Sequence, residues 1–193
     1  MADFSLTAKS PLNGVVKEYD GVSIAEVTGK AIVSIAIPDG GEKKLAAAMA
    51  KSYKTGLPKV GQSSAGADGK AQFLGMASDQ MFALFDFDVG VEGNDELAHV
   101  ADRLGTAGYF TNQSDSWVML AVSGPRSRAA LARICSLDLH HDVFVEGAVA
   151  RTSMEHLGTI IFRSKADCFI IFSARSTAQS LFHAIEKSIT NIL

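Results

Sequence analysis

The sequence predicts an α+β fold, built from two tandem ferredoxin-like β-α-β-β-α units whose antiparallel sheets carry helices packed on one face. One reason is that the same order of patterns, strand, helix, hairpin and helix, occurs twice along the 193 residues. A second reason is register, since Val33 and Val118 are 85 residues apart and Leu97 and Leu181 are 84 apart. This near-constant spacing indicates duplication of one supersecondary unit.

The chain is predicted to have three parts within one globular body: an N-terminal extension with a short strand (1–30), a first unit (31–110) and a second unit (111–193). A length of 193 residues suits one large domain or two small ones that share a core. In the extension, residues 10–12 are predicted to be extended, and residues 23–27 to form the strand.

The first unit begins with a strand over residues 31–37, where apolar side chains alternate. Residues 38–41 then turn the chain into a helix. The apolar stripe of this helix contains Leu45, Met49 and Tyr53. Residues 55–70 are rich in glycine and serine and offer few apolar side chains, so we predict a long loop that is mobile or ordered by a partner.

A hairpin and a second helix complete the first unit. Residues 73–76 and 81–85 are apolar and flank a short polar stretch, the pattern of a β-hairpin. Asn94 is a suitable N-cap for the following helix, and Gly105 ends it. The apolar stripe of that helix contains Leu97, Val100, Ala101 and Leu104.

The second unit begins with the most strongly patterned stretch of the chain. Residues 117–122 are continuously apolar, which is typical of a strand buried on both faces. Ser123 and Gly124 interrupt this run, and Pro125 follows where the first turn of a helix tolerates a missing N–H. The stripe of this helix contains Leu131, Ile134 and Cys135.

A second hairpin and a final helix follow. The hairpin is predicted to pair residues 158–163 with residues 168–173. The helix is predicted to start at Ser176, because Ser176 and Gln179 have the spacing of a capping box. Its stripe contains Ala178, Leu181, Phe182, Ile185 and Ile189.

The composition argues against several classes of function. A net charge of −3 and a pI near 5.9 disfavour nucleic-acid binding, which requires a clustered basic surface. The sequence contains neither a membrane-spanning apolar run nor a secretory signal pattern at its N-terminus. Cys135 and Cys168 lie in apolar runs, so buried free thiols are favoured over a disulfide. We therefore expect a cytoplasmic protein that contacts no membrane and no nucleic acid.

Motifs for phosphate binding or acid–base chemistry are weak. Residues 56–63 have the glycine spacing of a P-loop, but Gln62 replaces the lysine that reaches the phosphates, and no helix is predicted to follow. Glu155 and His156 have the groups of an acid–base pair, yet nothing near them in the sequence resembles an activated nucleophile. The exposed face of a strand is the favoured interpretation of this pair.

Three arginines and the single tryptophan are ambiguous. Arg126, Arg128 and Arg133 have the charge to bind an anion near a helix N-terminus, but a solvated helix face is favoured. Trp117 stands at the start of the buried strand, where a core position is favoured over the lining of a ligand pocket.

His140, His141 and Asp142 carry side chains that bind metals. Adjacent side chains on an extended segment point to opposite sides, however, so one ion rarely contacts both imidazoles. A solvated or interface loop is favoured here. The sequence thus predicts no metal site, no cofactor site and no catalytic residue in this chain.

The second half of the chain carries a series of short motifs in a defined order. An apolar strand runs into Ser-Gly-Pro, the next helix ends near a cysteine, and Asp-Leu follows. A Phe-x-x-Gly-x-x-x-Arg-Thr run comes next, and Arg-Ser precedes the last helix. These motifs are Ser123-Gly124-Pro125, Cys135, Asp138-Leu139, Phe144, Gly147, Arg151-Thr152 and Arg175-Ser176.

In order and spacing, these motifs resemble those of the gamma subunit of heterotetrameric sarcosine oxidase. Three upstream motifs agree in place with that family, although residues 76–78 read Met-Ala-Ser where a more typical member has Gly-Pro-Asp. The upstream motifs are Ser10-Pro11-Leu12, Gly56-Leu57-Pro58 and Leu74-Gly75 with Phe82. At fold level the family resembles the folate-binding domains of glycine-cleavage aminomethyltransferases.

The resemblance implies a non-catalytic gamma subunit with a structural or assembly role. The implied complex is an oxidoreductase of sarcosine catabolism that converts sarcosine to glycine, transfers the methyl group to tetrahydrofolate and forms hydrogen peroxide. Its alpha and beta subunits would bind FAD, FMN, NAD and tetrahydrofolate, its delta subunit would bind zinc, and this chain would bind none of them. The alternatives are a stand-alone folate-binding, aminomethyltransferase-like protein and an assembly factor.

A subunit without chemistry contributes by binding, so the loop at residues 140–152 is predicted to contact a partner. Phe144 is expected to be exposed there as an apolar centre, with His140, His141 and Arg151 in the polar rim. The alternative is that Phe144 enters the chain's own core while Arg151 pairs internally.

Overall fold

The structure is a computed structural model that describes residues 9–88, 91 and 95–193. The helices are α1 (Glu42–Ser52), α2 (Glu96–Leu104), α3 (Ser127–Ala132) and α4 (Ala178–Thr190). The strands are β1 (Val16–Tyr19), β2 (Val22–Glu26), β3 (Lys30–Ala36), β4 (Ser63–Ala65), β5 (Ala71–Ala77), β6 (Gln80–Asp86), β7 (Tyr109–Asn112), β8 (Trp117–Ser123), β9 (Val149–Met154), β10 (Leu157–Lys165) and β11 (Cys168–Ala174).

The strands form two antiparallel sheets, ordered β1-β2-β8-β11-β10-β9 and β4-β5-β6-β3-β7. In the five-stranded sheet, β3, α1, β5, β6, α2 and β7 make a complete ferredoxin-like unit with strand order β7-β3-β6-β5. In the six-stranded sheet, β8, α3, β10, β11 and α4 repeat this arrangement, and β2 occupies the fourth place. The predicted fold class is therefore confirmed. The predicted boundaries of the three parts stay a prediction.

The two sheets pack face to face, and the helices cover their outer faces. This gives four layers: helices, sheet, sheet and helices. The apolar core between the two sheets contains Ile32 and Leu74 of the five-stranded sheet and Ile160 and Phe172 of the six-stranded sheet. Because both faces of each sheet are covered, β8 is buried at most positions, as its continuous apolar sequence predicted.

The elements of the first unit agree closely with the prediction. In α1, Leu45 and Met49 are fully buried, and β5 and β6 form the expected hairpin. Asn94, the predicted N-cap of α2, lies outside the described residues. Asp95 caps this helix, because its Oδ1 accepts hydrogen bonds from the backbone N–H groups of Leu97 at 2.8 Å and Ala98 at 3.0 Å.

The helices of the second unit are shorter than predicted. Helix α3 ends at Ala132, so Cys135 is not helical and instead forms an isolated β-bridge with Met154. The predicted start of α4 at Ser176 is wrong, because a 3-10 turn precedes the helix. In that turn the Thr177 hydroxyl donates a hydrogen bond to the carbonyl oxygen of Ala174, the last residue of β11, at 2.8 Å. No side chain caps the helix.

The N-terminal segment forms a turn rather than the predicted extended chain at residues 10–12. The buried carboxylate of Glu26 holds this turn. One oxygen accepts from the backbone N–H of Leu12 at 3.1 Å, and the other accepts from the Ser10 hydroxyl at 2.9 Å and the Gly14 N–H at 2.6 Å. A buried charge requires such partners, and the turn supplies them.

Residues 55–70 are mostly a loop, as predicted, but they are held by the chain's own backbone hydrogen bonds and contain a short strand. They contain β4, and the stretch before β4 bonds to both sheets through its backbone. The Gly61 N–H donates to Gly75 in β5 at 3.0 Å, and the Gly61 carbonyl accepts from Val149 in β9 at 2.9 Å. Backbone hydrogen bonds thus order this segment, and Leu57 adds an apolar contact with the core of the first unit.

Among the described residues, no helix has the length and apolar character needed to cross a membrane.

Candidate functional site

The predicted contact loop comprises an irregular segment after α3 and the first residues of β9. The expectation that Phe144 is exposed is wrong, because its side chain is only 7% exposed and belongs to the core under α3 and α4. The guanidinium group of Arg163, itself 4% exposed, donates to the Phe144 carbonyl at 2.7 Å and to the His141 carbonyl at 3.3 Å. This anchor holds the loop against β10, and the neighbouring Val143 and Val145 are the exposed apolar side chains.

Arg151 lies on β9 and is exposed. Its Nη2 donates to Oε1 of Gln80 at 3.3 Å, so the contact crosses from the six-stranded to the five-stranded sheet. His140 and His141 are also exposed. Of the four candidate contact residues, three therefore lie on the surface and Phe144 does not. Their role in binding a partner stays a prediction.

The structure brings together the three side chains at residues 140–142. Because the segment forms a turn, the rings of His140 and His141 lie on one side, with centroids 4.3 Å apart. Asp142 lies between them, with 3.6 Å from Oδ2 to Nδ1 of His140 and 3.2 Å from Oδ1 to Nε2 of His141. The expectation that the imidazoles point to opposite sides is wrong, since it assumed extended backbone.

Glu155 and His156 form the tight turn between β9 and β10. Their φ values are 45° and 67°, the left-handed conformation of a two-residue hairpin turn. Both side chains are exposed, as predicted, but on a turn rather than on a strand face.

The three arginines near α3 have separate surroundings. Arg126 is 3.4 Å from Asp20 across the start of the helix. The buried Nε of Arg128 has no hydrogen-bond partner among the described residues. Arg133 lines a groove of about 380 Å³ together with His183 and Lys187 of α4.

A cavity of about 300 Å³ lies where the N-terminal turn, β3 and β8 approach one another. Trp117 is half-buried in its wall, packs edge-on against Phe82 with centroids 5.9 Å apart, and belongs to the layer between the sheets. Its indole Nε1 is buried without a hydrogen-bond partner among the described residues. Trp117 therefore combines both interpretations drawn from the sequence, since it packs in the layer between the sheets and also lines a cavity.

The described groups whose pKa values are shifted lie where helices pack against the sheets. Desolvation raises the pKa of Tyr19 to about 12, and the hydrogen bond from its hydroxyl to Glu186 at 2.8 Å adds to this rise. Hydrogen bonds from Lys17 and Tyr19 lower the pKa of Glu186 on α4. Burial lowers the pKa of His99 on α2, whose ring stacks on Phe85 with centroids 4.7 Å apart.

Two buried polar residues with clear roles were missed in the sequence. Arg163 follows three apolar residues of a predicted strand, and Glu26 ends another strand. A charged residue inside an apolar run is the signal that marks a buried, fully bonded group. Both are bonded to loop backbone, so they shape the surface around the contact loop and the cavity.

No protein-family model matches the chain, and no curated protein matches its sequence. Solved structures do match. A chain of the heterotetrameric sarcosine oxidase from Corynebacterium sp. U-96, in complex with pyrrole 2-carboxylate, aligns with a TM-score of 0.73 and 22% identity over 88% of this chain and 84% of that chain. The chain shares its fold.

The fold also matches the glycine cleavage system aminomethyltransferase T from Bartonella henselae, with a TM-score of 0.60 and 16% identity. That match covers 86% of this chain but 45% of the enzyme, so this chain spans about half of its length. In the sarcosine oxidase the aligned shares are nearly equal, and the two chains therefore have similar lengths.

Proposed function

We propose that this chain is the gamma-type subunit of a cytoplasmic heterotetrameric sarcosine oxidase, in which it has a structural or assembly role. The observation that carries the proposal is the structural match over 88% of this chain and 84% of a chain in such an enzyme. The order of sequence motifs from Ser10 to Ser176 supports the same assignment. The partners would be alpha, beta and delta subunits, and the complex would oxidise sarcosine to glycine.

In this proposal the chemistry belongs to the partners. The alpha and beta subunits would supply FAD, FMN, NAD and tetrahydrofolate, and this chain would contribute no catalytic residue. The groups with shifted pKa values, Tyr19, Tyr53, His99 and Glu186, lie at contacts between helices and sheets.

The test is co-expression of this chain, carrying the only affinity tag, with the three other subunits encoded in the same source. We expect the four chains to purify together with flavin absorbance, and the chain expressed alone to be colourless. A fully active complex that assembles without this chain would contradict the proposal, as would stoichiometric flavin on the chain alone.

The contact loop can be tested in the same assembly. Phe144 is buried, so Phe144→Ala is expected to destabilise the chain by about 3 kcal/mol and does not isolate binding. Val145→Asp with Arg151→Ala instead changes two exposed side chains and should leave the isolated chain folded. We expect this double variant to lose co-purification, whereas Val16→Asp, at an exposed site on β1, should retain it. Retention in both would place the contact elsewhere on the chain.

A stand-alone folate-binding protein is the second candidate, favoured by the cavity of about 300 Å³ beside Trp117. Since Trp117 is the single tryptophan, tetrahydrofolate entering this cavity would quench the intrinsic fluorescence of the chain. Saturable quenching by the isolated chain would favour this candidate, and no change in fluorescence would favour the subunit.

A further inference from the structure

The turn between α3 and β9 places three metal-binding side chains within reach of one another. Ligand atoms of His140, His141 and Asp142 all lie within 4.8 Å of one another. We propose that these three residues bind one divalent transition-metal ion, with Zn²⁺ as the representative ion. The proposal concerns this chain alone and does not rest on the proposed function.

The distances suit coordination by a single ion. Zinc binds imidazole nitrogen and carboxylate oxygen at about 2.0–2.2 Å, so two ligands at a tetrahedral angle lie about 3.4 Å apart. Oδ2 of Asp142 lies 3.6 Å from Nδ1 of His140, and the other carboxylate oxygen, Oδ1, lies 3.2 Å from Nε2 of His141. The ligand atoms of the three residues lie within 4.8 Å of one another, and both rings are more than half exposed, so rotation about their side-chain bonds allows them to approach to coordination distance.

The backbone of the turn is held in place before any ion binds. Leu139 and Phe144 flank it and are buried in the core, at 2% and 7% exposure. The His140 carbonyl accepts from the Phe144 N–H at 2.8 Å, and Arg163 donates to the His141 carbonyl at 3.3 Å. Because this framework already positions the three side chains, an ion does not have to order the loop, which favours affinity.

The ligand types select the class of metal. Two imidazoles and one carboxylate suit Zn²⁺, Co²⁺, Ni²⁺ or Cu²⁺, whereas Mg²⁺ and Ca²⁺ require oxygen ligands. His140, His141 and Asp142 are all exposed, so an ion reaches them from solvent. Three protein ligands leave one tetrahedral position for water, the arrangement of an open rather than a closed zinc site.

The primary test is calorimetric titration of the tag-free chain with Zn²⁺. We expect one ion per chain at micromolar concentration, with His140→Ala and His141→Ala each weakening binding by at least about tenfold and the double variant abolishing it. His156→Ala removes another exposed turn histidine, and Cys168→Ser removes a partly exposed thiol, so both controls should bind as the wild type does.

A second measurement does not depend on the variants. In the wild-type chain, imidazole ¹⁵N resonances of His140 and His141 should shift on addition of Zn²⁺, while those of His99, His156 and His183 should not. Absence of binding in the micromolar range would overturn the proposal. It would equally be overturned by binding that survives the double variant, or by shifts shared by all five histidines.

Discussion

The two units have the same strand order but obtain their fourth strand from opposite directions along the chain. In the first unit, β7 follows α2 and pairs with β3. In the second unit, the equivalent place beside β8 is taken by β2, from the N-terminal part of the chain. The second sheet therefore includes residues that precede the first unit in the chain.

The units also differ in how their outer hairpins are covered. Strand β5 of the first unit lies under the segment that precedes β4. The Gly75 carbonyl accepts a hydrogen bond from the Gly61 N–H, and the Gly75 N–H donates one to the Gln62 carbonyl. On β10, the corresponding strand of the second unit, a Cβ added at Gly158 would have no atom within 4 Å, although the strand itself is paired with β9 and β11. The two strands thus differ in how closely other backbone approaches these two glycines.

The largest expected effect comes from this pair of glycines. In Gly75→Ala the new Cβ would lie 2.2 Å from the Lys59 carbonyl oxygen, a backbone atom that cannot move without breaking the bonds of its segment. We expect a loss of about 3 kcal/mol in the free energy of unfolding, measured with urea. Gly158→Ala, with no atom within 4 Å of its Cβ, should change it by less than about 0.5 kcal/mol. Equal changes in the free energy of unfolding for the two variants would contradict a difference in packing at Gly75 and Gly158.

The next effect concerns the two fourth strands. Glu26→Ala at the end of β2 leaves the Leu12 N–H without its acceptor and the Gly14 N–H with only the Ser10 hydroxyl oxygen, which should cost about 2 kcal/mol of the free energy of unfolding. At the end of β7, Asn112→Ala removes two exposed bonds, one donated to Glu96 and one accepted from the Ser114 N–H, and should cost less than about 1 kcal/mol because water can replace both. Amide exchange at Leu12 and Gly14 should accelerate in the first variant alone. Unchanged exchange there would mean that Glu26 does not hold the turn.

A smaller effect is expected from acid on the first unit. Because burial lowers the folded-state pKa of His99 below 6.5, its contribution to stability is present above pH 6.5 and is lost as the pH falls through the folded-state pKa. His99→Phe keeps the stacking on Phe85 and should remove this part of the acid dependence of unfolding. His183→Phe changes the position of α4 that is 84 residues further along the chain, and it serves as the exposed control. An unaltered acid profile in His99→Phe would contradict the assignment.

The smallest effect is expected from alkali on the second unit. The pKa of Tyr19 is raised from 10.0 to about 12, so its contribution is complete below pH 10 and is lost as the pH rises toward 12. Tyr19→Phe should remove this alkaline loss, whereas Tyr109→Phe, at an exposed tyrosine of β7, should preserve it. Urea unfolding between pH 9 and pH 11 provides the measurement. If Tyr19→Phe has the same alkaline profile of unfolding as the wild type, the Tyr19–Glu186 contact does not contribute to the stability of the chain.

The sequence by itself determined the elements that are buried on both faces or along a stripe. The run at residues 117–122, the two hairpins and the stripe of α1 were all predicted, because burial forces apolar residues into the period of each element. The duplication followed from the same patterns, through the spacing of Val33 and Val118. The acidic composition and the weak chemical motifs also directed the functional proposal toward binding rather than catalysis.

Only the tertiary structure decided the pairing of the short strands and the direction of the loops. Strands β1, β4 and β7 carry mostly exposed or half-exposed side chains, and their backbone hydrogen bonds leave no pattern in the sequence. The burial of Phe144 depends on Arg163, which lies 19 residues away on another element. The convergence of His140 and His141 depends on a turn that this anchor stabilises. Contacts between distant residues set all of these features, and the local periodicity of a sequence records only which faces are buried.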